Sequence, residues 1–131
     1  MSGMTLGANT FSYVYKSGVL NCLQHMGAMG YREFEILVTQ PHFWATDFSA
    51  NERRDIPKKL ADEGLHVTSV NIPGIDNNIV SGTREMREFT IKVLSDLIDI
   101  CSDWNIPYCI FVPGRTMPLL PLSKEQLTEW F

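Results

Sequence analysis

Two short apolar runs, and the helical stripe between them, set the reading of the whole chain. Residues 65–74, LHVTSVNIPG, and residues 107–114, PYCIFVPG, are rich in β-branched and aromatic side chains, and each ends in Pro-Gly. Val67, Val70 and Ile72 in the first run, and Ile110, Phe111 and Val112 in the second, are too uniformly apolar for strands with one wet face. Both faces of each are therefore expected to be covered. Between them Met86, Phe89, Val93, Leu97, Ile100, Cys101 and Trp104 recur at spacings of three and four, which predicts a helix from Thr83 to about Asn105. Strand, helix, strand in that order is a parallel crossover unit, whose ligands sit beyond the carboxyl ends of the strands. Asn71 and the Pro113-Gly114 turn stand at those ends.

The upstream chain follows the same plan. Residues 5–13 alternate well enough for a first strand, with Gly7, Asn9 and Phe11 on one side. Val19, Leu23 and Met26 then follow at helical spacing over residues 18–29, with Ser17 as the expected N-cap and Gly30 as the stop. A second strand over residues 32–38 sets Phe34, Ile36 and Val38 against Glu33, Glu35 and Leu37. Glu35 comes near its carboxyl end, facing away from the helix-packing side. A carboxylate there can act as base, ligand or acceptor for a sugar hydroxyl, or it can sit in a rim salt bridge. A second helix is expected over about residues 55–63, with Ile56 and Leu60 inward and Pro57 in its first turn. Ser49 and Glu52 have the spacing of a capping box for a short turn before it.

The connections carry the remaining polar candidates. Residues 39–50, TQPHFWATDFSA, are long for a strand-to-helix loop. Its aromatics, Trp44 among them, suit either a binding lid or a plug for the end of the core. His42 in the same loop reads as a structural histidine or as a ligand. Residues 71–82 put Asn71, Asp76, Asn77 and Asn78 beyond the third strand, where such side chains either build turns or hold a polyol. Arg115, in the proline-punctuated exit over residues 112–122, can meet a phosphate or carboxylate, or simply be solvated. Ser123 and Gln126 form a further capping-box pattern, and Leu127, Trp130 and Phe131 start an apolar stripe that the sequence does not continue. The chain therefore reads as one partial domain, residues 1–131, cut within a fourth helix.

Charge and composition narrow the partners. With 11 basic against 15 acidic residues and a formal charge of -4, and no basic cluster beyond Arg53-Arg54 and Lys58-Lys59, the chain does not suit a nucleic-acid surface. Three cysteines without a Cys-x-x-Cys spacing fit packing thiols in a reduced, cytoplasmic setting. No apolar run approaches the roughly 20 residues that cross a bilayer, so no membrane role is expected.

Four strand-helix units with polar strand exits are the pattern of the first half of a (β/α)8 barrel, that is, a TIM barrel. The stretches PHFWATDFS, GLHVTSVNIPGIDNNI with REMREF after it, and YCIFVPGRTMPLLPLSKEQL resemble the N-terminal half of the sugar phosphate isomerase/epimerase family, the xylose isomerase-like barrels. The resemblance implies a small sugar or sugar phosphate as substrate and proton transfer next to its carbonyl. It implies a divalent metal (Mn, Mg, Zn or Co) held by later strands, expected only in a full-length parent and not bound by this chain alone. Its implied substrate side falls on Asn9 and Phe11, Glu35, Asn71 and the Pro113-Gly114 turn. DNA-repair endonucleases of the same superfamily place metal-binding histidines at the third and fourth strand ends, where this chain has Asn71 and the Val112-Pro113-Gly114 exit. That departure favours sugar chemistry over nuclease chemistry. The competing reading is a non-catalytic half-barrel that assembles as a homo-oligomer through its exposed edge strands. A self-contained flavodoxin-like domain is disfavoured, because NTFSYVYKSG after the first strand is no Gly-rich phosphate loop.

Overall fold

The computed structural model describes residues 4–130, apart from the Trp130 side chain. Among the described residues, β1 (Gly7–Asn9), β2 (Glu33–Leu37), β3 (His66–Ile72) and β4 (Tyr108–Phe111) form one sheet in the order β1-β2-β3-β4, every pair parallel. Helices α1 (Val19–Ala28), α2 (Ala50–Asp62) and α3 (Arg84–Asp103) connect consecutive strands, and α4 (Lys124–Trp130) follows β4. This is half of a (β/α)8 barrel, as the sequence pattern predicts.

The hydrophobic alternation decides which face is covered. Phe34, Ile36 and Val38 are buried together with Leu23 and Met26 of α1, Leu60 of α2, and Leu97, Ile100 and Cys101 of α3. At that apolar layer's end, Phe43, Phe48 and Trp104 pack with ring centroids 5.2–5.4 Å apart. The loop aromatics thus close the core on the helix side, except that Trp44 is only half-buried.

One irregularity sets the register. Phe34 pairs with Val67 but Glu35 pairs with Ser69, so Thr68 is an extra residue whose hydroxyl donates to the Phe34 carbonyl at 3.0 Å. The bulge keeps Val67 and Val70 on the helix side although they are three residues apart. It also turns Ser69 to the same side as Glu35.

Several local expectations are corrected. The first strand ends at Asn9, because the Phe11 amide donates to Asn9 Oδ1 at 2.8 Å and winds Phe11–Tyr13 into a 3-10 turn. Gly18, and not Ser17, is the N-cap of α1; the Ser17 carbonyl instead receives His42 Nδ1 at 2.7 Å. The Ser49–Glu52 capping box starts α2 itself, with the Ser49 amide donating to Glu52 Oε2 at 2.9 Å and the Glu52 amide to Ser49 Oγ at 3.3 Å. Pro57 therefore lies inside α2, where it removes one backbone donor. Met86 and Phe89 are 39% and 49% exposed: α3, 20 residues long, outreaches a strand of 4 residues, so its first turns have no sheet beneath them. Ile110, Phe111 and Val112 are exposed as well, since these helices cover one face of the sheet and β4 is an edge. Ser123 and Gln126 do cap α4 reciprocally. Phe131 and the Trp130 side chain lie outside the described residues. No described helix is long and apolar enough to cross a membrane.

Burial pushes the Cys22 thiol up to about 11 and, with a smaller contribution from neighbouring Cys109, the Cys101 thiol up to about 12. Thiolate, the reactive form, is therefore scarce at both near neutral pH. In iodoacetamide labelling followed by mass spectrometry, half-buried Cys109 is expected to react first. Cys22 and Cys101 should be labelled only as fast as the chain unfolds.

Candidate functional site

The sheet face opposite the helices carries a polar cluster at the carboxyl ends of the strands. Glu35 is its centre. Asn9 Nδ2 donates to Glu35 Oε1 at 2.6 Å, and Ser69 Oγ donates to Glu35 Oε2 at 2.9 Å, so donors on β1 and β3 hold a carboxylate on β2 from both sides. The backbone beneath is tied by Thr10, which is fully buried: its amide donates to the Glu35 carbonyl at 3.1 Å and its hydroxyl accepts from the Leu37 amide at 3.0 Å. The carboxylate is consequently fixed in position before any ligand arrives. Asn71 lies one step along β3 in register with Leu37 and Ile110, half-buried on the same face, and its carbonyl accepts from the Val38 amide at 2.8 Å.

The fold brings together Asn9, Glu35 and Asn71 among the candidates, with Phe11 next to them, 68% exposed after the turn that Asn9 nucleates. Asn78 belongs to a second arrangement. Its amide donates to Thr90 Oγ1 at 2.9 Å, its Nδ2 to the Arg115 carbonyl at 2.9 Å, and the Ile79 amide to the Pro113 carbonyl at 2.9 Å. These bonds latch the β3 exit loop to the β4 exit loop. Gly114, at φ +117, passes so close to Asn78 that a Cβ there would run into its side-chain amide. Arg115 is exposed on the rim of a cleft of about 400 Å³ between these two loops, lined also by Ser81, Thr116, Met117 and Leu120. Asp76 is exposed on the same β3 loop.

His42 and Trp44 are placed elsewhere. His42 is 2% exposed, pinned by its Nδ1 to the Ser17 carbonyl, while its own carbonyl accepts from the Val19 amide at 3.0 Å. Burial, opposed in part by the Ser17 bond, holds its pKa below the usual 6.5. Trp44 borders the helix-side core beside Val38, Ile72 and Val93.

Sequence reasoning missed three residues. Ser69 had a signal: Thr68-Ser69 interrupts an apolar alternation, and adjacent polar residues within a buried strand suggest a bulge. Thr90 had one too, as a polar residue on the apolar stripe of α3. Thr10 had none, because its role depends on two strands meeting. The polar groups on this face do not by themselves fit a divalent cation. They offer one anchored carboxylate already accepting from an amide and a hydroxyl, and no group of three or more His, Cys, Asp or Glu side chains converges among the described residues.

No protein-family model and no curated protein matches the chain in sequence. Solved structures do match in fold. A candidate xylose isomerase from Rhodospirillum rubrum superposes with a TM-score of 0.74 at 18% identity, covering 98% of this chain and 45% of that one. D-psicose 3-epimerase from Clostridium cellulolyticum H10, solved with D-tagatose, gives 0.70 at 14% identity, covering 97% and 44%. L-ribulose 3-epimerase gives 0.67 at 19% identity, covering 94% and 41%. The chain thus spans less than half the length of each of these barrels.

Two outcomes follow from this geometry. Thr90→Val leaves the half-buried Asn78 amide without its acceptor and should cost about 1 kcal/mol in urea unfolding. In hydrogen exchange it should speed the amides of residues 76–82 while leaving β2 unchanged. Since folding lowers the His42 pKa, the unfolded chain takes up the proton first. Stability is therefore full above the unfolded-state value and falls as pH drops below it. His42→Asn, though less stable at neutral pH, should lose less stability than the parent between neutral and mildly acidic pH.

Proposed function

We propose that this half-barrel forms the substrate-binding side of a sugar isomerase or epimerase that moves a proton next to the carbonyl of a ketose or its phosphate. The observation that carries the reading is the carboxylate of Glu35, held by Asn9 and Ser69 on the open face at the strand ends. A carboxylate has about four acceptor sites, and two are taken, so roughly two remain for sugar hydroxyls. Asn71 adds an amide able both to donate and to accept, and the exposed ring of Phe11 offers an apolar face to a sugar's C–H side. That combination, hydroxyl acceptors beside a ring face at the mouth of a parallel sheet, suits a polyol better than a planar aromatic ligand.

The fold likeness to psicose, ribulose and xylose enzymes supports the same substrate class. On this reading the proton-transferring groups and any Mn, Mg, Zn or Co ion are held by strands outside the four described here. The residues present bind and orient. On the same reading Arg115, exposed beside the cleft between the strand-exit loops, would meet a sugar's phosphate.

Isothermal titration of the chain with D-psicose, L-ribulose and a ketose phosphate tests the proposal. Binding by at least one is expected, and Glu35→Ala should weaken it about tenfold or more, the worth of a hydrogen bond to a charged group. Arg115→Ala should weaken only the phosphorylated ligand. Binding by none of the three, or binding that Glu35→Ala leaves unchanged, would count against the reading.

A further inference from the structure

We propose that Cys101 and Cys109 are a redox pair that closes to an intramolecular disulfide by exchange with a low-molecular-weight disulfide such as oxidised glutathione, stapling the end of α3 to β4. The inference does not depend on the sugar reading. It starts from the turn that joins the two elements. Asn105, at φ +54, follows the helix, and the Ile106 amide donates back to the Cys101 carbonyl at 2.8 Å, so the chain reverses beside the last helical turn. Cys101 stands in that turn, buried against the core. Cys109 lies on β4 in register with fully buried Val70. Its neighbours Tyr108 and Ile110 are exposed on the open face, so alternation sends Cys109 to the helix side, where it packs against the buried cluster that contains Cys101. The two sulfurs meet there, the Cys101 thiol donating to the Cys109 sulfur.

The two thiols are unequal. Cys109 is half-buried and reaches solvent, whereas Cys101 is enclosed. Burial raises both, but the bond from Cys101 offsets part of the rise at Cys109 by favouring the anionic form of that sulfur. Cys109 is therefore the attacking sulfur and Cys101 the resolving one. In the first step the Cys109 thiolate attacks one sulfur of the external disulfide, forming a mixed disulfide and expelling one thiolate. In the second the Cys101 sulfur, its proton given up, attacks the Cys109 sulfur and expels the other. The cysteines lose two electrons, the external disulfide is reduced to two thiols, and the two protons from the cysteines end on those thiols. Cys22 provides the contrast: fully buried on α1, its thiol donates to Met26 Sδ at 3.7 Å and so faces a thioether.

The staple would act on the frame of the mouth. β4 runs into Pro113 and Arg115, whose carbonyls accept from the Ile79 amide and from Asn78, and the Asn78 amide donates to Thr90 of α3. A bond from Cys109 to Cys101 would give α3 and β4 a second, covalent tie at the opposite end of the helix. Disulfides that form in reducing compartments are ordinarily transient and regulatory, which suits a tie that closes only when external disulfide accumulates.

Incubating the folded chain with oxidised glutathione, blocking the remaining thiols in denaturant and mapping the tryptic peptides tests this. Residues 93–115 form one tryptic peptide that holds both cysteines. That peptide is expected two hydrogen masses lighter and unalkylated, with Cys22 alkylated and a reducing agent restoring both thiols. Hydrogen exchange in the oxidised chain should slow at residues 104–111. Cys101→Ser should stop the reaction at a glutathione adduct on Cys109, and Cys109→Ser should give no adduct. The parent map decides the question even where a serine variant folds poorly. Glutathione that stays on Cys109 of the parent chain, a disulfide that recruits Cys22 or joins two chains, or three thiols left free would each overturn the inference.

Discussion

A parallel sheet exposes two faces, and the connections between its strands can bury only what they cross. In this chain α1, α2 and α3 bury Phe34, Ile36, Val70 and Ile72 almost completely, while the opposite face keeps Tyr108, Ile110 and Val112 in solvent. Every functional feature depends on that asymmetry. The covered side supplies the cohesion of the fold through apolar burial. The open side is left for polar groups that would be costly to bury unpaired.

The polar cluster is built into the mechanics of the sheet. Glu35 receives side-chain donors from the strands on either side of it, and its own backbone carbonyl accepts from Thr10, so the same residues that hold β1 against β2 also orient the carboxylate. A ligand group held this way pays little ordering entropy when it binds. The bulge at Thr68 is what makes it work. Were the pairing regular from Val67 on, Thr68 would stand opposite Glu35, Ser69 would face the helices and Val70 the open side, exchanging a hydroxyl for an isopropyl group in the buried layer. Further along, the Asn78–Thr90 and Asn78–Arg115 bonds couple the exit loops of β3 and β4 to each other and to α3. The mouth is therefore framed by tied loops along its third and fourth strands.

The covered and open faces also separate residues that look alike in sequence. His42, Trp44 and Asn71 all appear as polar or aromatic groups near strand ends, but the fold sends the first two to the helix side and the third to the open side. The loop carrying Phe43 and Phe48 completes the core around Trp104. Its length reflects the distance it covers along the helix layer before the capping box starts α2.

Local chemistry was enough to determine the order and type of the elements. The period-two run around Phe34, the apolar run around Val70, the long stripe from Val93 to Trp104, and the paired Ser49–Glu52 and Ser123–Gln126 caps all act within a few residues, and so could be read along the chain. The same holds for Glu35 facing away from the helices, since alternation alone fixes it against Phe34 and Ile36. What only the tertiary structure decided is everything that needs two strands to meet. The bulge that turns Ser69 toward Glu35, the burial of Thr10 and Thr90, and the latch through Asn78 depend on partners 12 to 37 residues apart. So does the exposure of Ile110 and Val112: an apolar run states what a strand can bury, and only the packed fold shows which of its faces has a cover.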